Sequence, residues 1–264
     1  MPSDALQLEG TVDSFGFQWS WNSAMRSERD LEWRVARQFR VDPDFFAGKR
    51  VLYAGAGAGD QSRWMVAHRA EVVSADLSAA IDVVAQKLRL EPAWCGLQGD
   101  ITRLPLAGGQ FDVVYCEGVI QHTHDSAAAV RELTRMLVPG GVILATHYEF
   151  PTRLRGKVKM RWTSTLRRRL EHMDRYKLLL ATGIMAALGE IPLIGRGVRL
   201  SGTAFYSDLM PDFRTTWTNT FDFYGNHSFQ RHVTPKEFWR YFEDAGDFEC
   251  LYQDGARVVA RLAV

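Results

Sequence analysis

The sequence predicts an α/β fold in which a mostly parallel sheet carries helices on both faces. Three observations predict it. Between residues 49 and 148, strand-like and helix-like stretches alternate with short connections, as a parallel sheet requires when every strand needs a crossover to reach its neighbour. Val51-Leu52-Tyr53-Ala54 leads into Gly55, Gly57 and Gly59, then Asp60-Gln61-Ser62 and a helical run over 63–70, which reads as strand, tight turn and helix. A second strand ends at Asp76, about twenty residues on, where a right-handed crossover returns the chain beside the first.

Composition sets the frame. At 264 residues, 46% hydrophobic and 24% charged, the chain suits one α/β domain with an insertion better than two full domains. Cys95, Cys116 and Cys250 are odd in number and scattered, which argues for a reducing compartment over a disulfide framework. Residues 1–10 have neither a basic start nor an apolar core, so the expectation is a cytoplasmic protein without a signal peptide.

Residues 1–48 read as an arm outside the sheet. Phe15, Phe17, Trp19 and Trp21 alternate with Gly16, Gln18 and Ser20; they either pack on the outside of the core or fold over a ligand as a lid, with Trp19 a candidate contact. Ser27-Glu28-Arg29-Asp30 resembles a capping box, and Leu31, Val35 and Phe39 follow at helical spacing, predicting a helix over 28–40. Residues 49–150 form the core, with strands expected at 50–54, 71–75, 94–98, 111–116 and 141–147. Glycine suits the turn at 55–59 because it tolerates positive φ and lets a ligand lie against the main chain. Asp76 can accept hydrogen bonds from ribose hydroxyls, or it caps a helix over 78–88. Asp100, ending the third strand, can hold an adenine amino group, while Leu77 and Ile101 are placed to sandwich the base.

A nicotinamide cofactor calls for a third glycine three residues after the second, and Asp60 or Ser62 stands there instead. The observed Gly-x-Gly-x-Gly, with Asp76 and Gly99-Asp100 behind it, resembles the class I S-adenosylmethionine-dependent methyltransferases. Leu104-Pro105-Leu106, the run from Phe111 through Glu117-Gly118-Val119-Ile120-Gln121-His122-Thr123, and Leu137-Val138-Pro139-Gly140-Gly141 continue the likeness in order, over roughly residues 45–150. One position departs from it: the acid common two residues before the first glycine is Tyr53 here. The resemblance implies a Rossmann-like seven-stranded sheet with an antiparallel last strand, S-adenosylmethionine as methyl donor and S-adenosylhomocysteine as product. It also implies that Glu117 and His122, after the fourth strand, lie where acceptor and methionine moiety meet. His122 is the first candidate base, with Glu117, Glu149 and, behind them, His147 as others. His122-Thr123-His124 lacks a third ligand, so no metal is expected.

Residues 233–264 supply a helix start at Thr234-Pro235-x-Glu237 and a hairpin signal at Asp254-Gly255, completing the sheet. The stretch 151–232 reads as a helical cap insertion that the core does not need. Over 153–177, ten Lys or Arg face only Glu171 and Asp174, a local charge of +8 in a chain totalling +1. An apolar run over 178–189 follows, too short to span a bilayer. Three uses stay open for 153–195: a solvated basic face, a basic rim for an anionic group on an apolar substrate, or peripheral contact with an anionic membrane. Nucleic acid is not expected, since the basic run holds only two aromatics, Trp162 and Tyr176, and the overall charge is near zero. Phe221-Asp222-Phe223-Tyr224 and Phe229-Gln230-x-His232 partly resemble a methyltransferase segment that runs over the active-site mouth, which makes Tyr224, His227 and His232 candidate substrate contacts. The expected activity is methyl transfer to a small, biosynthetic acceptor. The alternatives are a nicotinamide-dependent oxidoreductase and a non-catalytic nucleoside-binding or membrane-docking module; the residues do not fix an oligomeric state.

Overall fold

The computed structural model describes residues 16–17, 27–170, 172–206, 212–225 and 230–264. The chain divides into two compact units, one of residues 1–149 and 229–264, the other of residues 150–228.

The first unit is built on a seven-stranded sheet of order β3-β2-β1-β4-β5-β7-β6, with β1 (Arg50–Ala54), β2 (Glu71–Asp76), β3 (Trp94–Gln98), β4 (Phe111–Cys116), β5 (Leu137–Thr146), β6 (Phe248–Asp254) and β7 (Arg257–Leu262). Every pairing among β1 to β5 is parallel, and β7 runs antiparallel to both neighbours. Strand period two sorts the core into two layers. Leu52, Ala54, Val114, Cys116, Ile143 and Ala145 face one layer, with α4 (Ser126–Arg135) and α9 (Pro235–Glu243) packed on it. Val51, Tyr53, Val113, Tyr115 and Leu144 face the other, covered by α1 (Glu28–Val35), α2 (Asp60–Ala67) and α3 (Ala80–Leu88). Each large side chain buried this way contributes about 1.5–3 kcal/mol.

Several boundaries differ from the sequence expectation for local reasons. The helix expected over 28–40 stops at Val35, where Ala36 departs to φ −119°, and a single 3₁₀ turn follows that Arg40 ends in a left-handed conformation at φ 55°. Helix α2 starts at Asp60, since Gly59 at φ 78° already turns the chain into it. Strand β5 begins at Leu137, four residues early; its register with β4 shifts between Phe111 and Val113. A β-carbon on Gly141 would lie 2.9 Å from the Val138 carbonyl oxygen, so this irregular crossing requires glycine. The Thr234 capping box forms as expected, with the Thr234 hydroxyl accepting from the Glu237 N–H and the Glu237 carboxylate from the Thr234 N–H.

The second unit holds α5 (Leu154–Leu170), α6 (Arg175–Glu190), α7 (Pro192–Ser201) and α8 (Phe213–Tyr224). Asp174 and Asp212 cap α6 and α8, and Pro192 opens α7 after a 120° bend. The Trp217 ring lies 3.1 Å from where a β-carbon on Gly183 would stand, and its Nε1–H donates to the Leu179 carbonyl at 2.9 Å. At the bend a β-carbon on Gly195 would meet the Gly189 carbonyl oxygen at 2.1 Å, so the two backbones touch. No single described helix is long and apolar enough to cross a membrane.

Candidate functional site

The carboxyl ends of β1, β2, β3 and β4 converge on one edge of the sheet. Gly55, Gly57 and Gly59 all have positive φ, and the turn is hung from β2: Gly55 and Ala56 donate to the Ala75 carbonyl at 2.7 and 3.1 Å. Asp76, buried at the end of β2, braces the turn from the side. Its Oδ2 accepts the Gly57 N–H at 2.8 Å; its Oδ1 accepts the Ser78 N–H at 2.9 Å and the Ser78 hydroxyl at 2.7 Å. A carboxylate offers about four acceptor positions, so three are taken and one on Oδ2 remains for a ligand hydroxyl.

One strand further out, the Gly99 N–H donates to the Asp76 carbonyl at 2.9 Å, which holds Asp100 next to the β2 end. Asp100 Oδ1 accepts from the Thr102 N–H and hydroxyl, both at 2.8 Å, leaving Oδ2 for another donor. Leu77 is half-buried and Ile101 buried beside them. The arm also reaches this place, since a β-carbon on Gly16 would stand 3.9 Å from Ser78 Cβ.

Past β4 the chain makes a 3₁₀ turn over Ile120–His122. Glu117 Oε1 accepts from Arg34 Nη1 at 3.2 Å and Gln38 Nε2 at 3.0 Å, and its Oε2 is 3.1 Å from the Tyr115 hydroxyl. Burial alone would depress the Arg34 guanidinium, but Glu117 and Asp30 outweigh it and hold its pKa above the ordinary value. Burial, then the Glu117 charge, pushes the Tyr115 phenol well upward, so it stays protonated. His122 is buried, its ring set edge-on to Tyr148 at 5.5 Å, and Tyr148 meets the His232 ring at 5.5 Å. The strand-like piece carrying His232 is tied down on both sides, Arg231 N–H to the Gln121 carbonyl at 3.0 Å and Val233 N–H to the Tyr148 carbonyl at 2.9 Å. Gln121 itself is 0% exposed, and among the described residues neither its Nε2 nor its Oε1 has a hydrogen-bond partner. Buried amides are rarely left so.

Residues 52–145 match a family described as a methyltransferase domain. The chain carries a class I S-adenosylmethionine-dependent methyltransferase domain. Among similar proteins, a malonyl-[acyl-carrier protein] O-methyltransferase from Enterobacter lignolyticus is 42% identical over 97 residues, 37% of this chain and 38% of its own. A demethylmenaquinone methyltransferase from Beutenbergia cavernae is 34% identical over 104 residues, 39% of this chain and 42% of its own. The chain thus spans less than half the length of these relatives. A solved S-adenosylmethionine-dependent methyltransferase from Mesorhizobium loti aligns at 25% identity with a TM-score of 0.40, over 45% of this chain and 54% of that one.

The methyltransferase domain gathers Gly55, Gly57, Gly59, Asp76, Leu77, Asp100 and Ile101 along the β1–β3 ends, and Glu117 and His122 at the β4 end. It does not bring Glu149 to them. That side chain is exposed and lies against the β6–β7 turn, where a β-carbon on Gly255 would meet Glu149 Oε2 at 2.1 Å, on the side of β5 away from β4. His147 is buried, with Nε2 3.1 Å from the Ser126 hydroxyl and Nδ1 3.1 Å from the Tyr148 carbonyl; burial lowers its pKa to about 4. Tyr224 is buried inside the helical unit, edge-on to Phe223 and Phe205, and its hydroxyl has no partner among the described residues. Trp19 and His227 lie outside the described residues. Sequence reasoning missed Arg34 and Gln38, whose i, i+4 spacing within the helix expected over 28–40 was visible, and Gln121 and Tyr148, for which no local signal existed.

Proposed function

We propose that the protein transfers a methyl group from S-adenosylmethionine to a small biosynthetic molecule with an apolar body, with or without an anionic group. The observation that carries the reading is Asp76 closing on the Gly57 N–H with one acceptor position still open, one strand away from Asp100. A nucleoside needs that pair: a ribose hydroxyl on one carboxylate and the purine amino edge on the other. Leu77 and Ile101 supply the apolar walls for the base.

The bound sulfonium supplies an already electrophilic methyl group, so the chain's task is positioning, plus removal of a proton where the acceptor carries one. Tyr53 occupies the place of the usual acid and is itself buried, packed edge-on against Tyr115. Tyr53 and Tyr115 are register partners, so the ends of β1 and β4 lie side by side, and Glu117, two residues past Tyr115, is assigned the ammonium of the methionine moiety. Two of its three donors come from the arm, Arg34 on α1 and Gln38 on the 3₁₀ turn that follows, so the arm fixes that carboxylate. His122 is assigned the base role, its ring oriented by Tyr148, and His232 and Gln121 contact the acceptor nearby. The relatives described above are named for malonyl-[acyl-carrier protein] and demethylmenaquinone, which supports a biosynthetic acceptor.

Titration calorimetry with S-adenosylhomocysteine and NADH tests the reading. Binding of the first with little or no heat from the second is expected. Preference for NADH would replace methyl transfer by hydride transfer, and binding of neither would remove the nucleotide site.

A further inference from the structure

Three helices of the second unit turn large apolar side chains outward. On α6 the buried residues are Leu178, Thr182, Ala186 and Gly189, mostly small, whereas Tyr176, Leu180 and Ile184 are 68%, 66% and 53% exposed. A helix soluble in water normally buries its large apolar side chains and shows the small and polar ones. Nor is the inner face waiting for a better partner, because Trp217 fills the notch at Gly183 and Gly195 touches Gly189. The outward stripe, four residues apart at each step, is therefore a surface in its own right.

The two neighbouring helices repeat the arrangement with cations added. On α5, Leu154, Lys157, Val158, Arg161 and Trp162 are all exposed, and their spacing places them on one face. On α7, Leu193, Arg196, Gly197 and Leu200 are exposed at the same intervals, Leu193 to 91%. An open groove of about 490 Å³ on α5 combines Phe150, Pro151 and Met160 with Lys157 and Arg161. Over 153–201 there are twelve Lys or Arg against three acids, Glu171, Asp174 and Glu190. Patches of this kind mark docking sites. The partner must accept large apolar side chains and carry negative charge in the same place. A protein partner would need both on one surface; the headgroup and acyl layers of an anionic bilayer supply them everywhere.

We infer that the 153–201 segment docks the protein onto an anionic membrane surface, its exposed apolar side chains entering the acyl boundary and its cations engaging lipid phosphates. The helices lie on the membrane and do not span it. This inference stands independently of methyl transfer.

The test is co-sedimentation of the full chain with vesicles of phosphatidylcholine alone and of phosphatidylcholine mixed with phosphatidylglycerol. Binding to the mixed vesicles is expected to exceed binding to the neutral ones by about tenfold or more and to weaken as salt rises. Leu180→Ser combined with Leu193→Ser, both at exposed positions, should lose most of it, and Lys157→Gln with Arg161→Gln should remove the preference for anionic lipid. S-adenosylhomocysteine affinity, read in parallel, should stay unchanged in all variants, which separates loss of docking from loss of the nucleotide site. Equal sedimentation with both vesicles, or binding indifferent to the leucine substitutions, overturns the inference. So does a concentration-dependent oligomer that Leu180→Ser dissolves while no vesicle is bound, since the stripe would then be a subunit interface.

Discussion

Replacing Asp76 by asparagine is the most direct challenge to the nucleoside cradle. The carboxylate accepts the Ser78 N–H and hydroxyl on one oxygen and the Gly57 N–H on the other. An asparagine has a single acceptor oxygen. Turned toward Ser78, it sets its amide hydrogens against the Gly57 N–H across 2.8 Å; turned the other way, it opposes Ser78. Either orientation swaps a charge-assisted hydrogen bond for a donor–donor contact; turned toward Ser78 the amide also removes the acceptor left for a ribose hydroxyl, and turned the other way it leaves only a neutral acceptor there. Hydrogen bonds to charged groups are worth about 1.5–3 kcal/mol, so S-adenosylhomocysteine affinity should fall by about 10- to 150-fold. Calorimetry on the variant, with a urea midpoint to confirm folding, measures this. A dissociation constant within about twofold of the parent in a folded variant would refute the argument.

Three further outcomes follow from the same geometry. Gly55→Ala places a methyl 2.2 Å from Val119 Cγ2 at a φ of 83°, which should cost about 2–4 kcal/mol in urea unfolding; Val119→Ala in the same chain should recover part of it, and no recovery would mean that the clash is elsewhere. Burial holds His147 neutral, with its pKa lowered from 6.5 to about 4, so protons bind first to the unfolded chain and stability is lost as pH falls through that window, levelling off below it. The loss is about 3 kcal/mol, and a His147→Asn chain should show a flatter stability profile over the same pH range. Gln121→Leu removes a buried amide without partners among the described residues, so stability should hold or rise while kcat/KM for the methyl acceptor drops about tenfold or more; unchanged kinetics would show that the amide contacts no substrate.

The sheet was legible because its signals are local. Short apolar runs over 51–54 and 111–116 marked buried strands, and the glycine turn with Asp76 at its proper distance marked the nucleotide edge. Thr234 and Glu237 announced a helix start within four residues. What escaped depended on which long side chain reaches where. Glu149 follows a strand ending beside the candidate site, yet the neighbouring β6–β7 turn lies against its carboxylate. Glu117 read as a catalytic acid or cofactor contact, and nothing in its neighbourhood disclosed two donors from the arm some eighty residues earlier. The run over 178–189 was recognisably apolar, but only packed helices reveal that Thr182, Ala186 and Gly189 face inward while Leu180 and Ile184 face out.

The knot of Arg34, Gln38, Tyr115 and Glu117 has an energetic corollary. One carboxylate serves both the amino-terminal helix and the mouth of the sheet, so a cationic group that draws on it there must share it with Arg34. By the reciprocity of linked equilibria, whatever such a cation loses to that sharing, the seating of the first helix loses equally. Occupancy of the mouth and tightness of the amino-terminal segment are thereby two readings of a single coupling, and truncating the segment should alter the discrimination between charged and uncharged analogues as well as the strength of their binding.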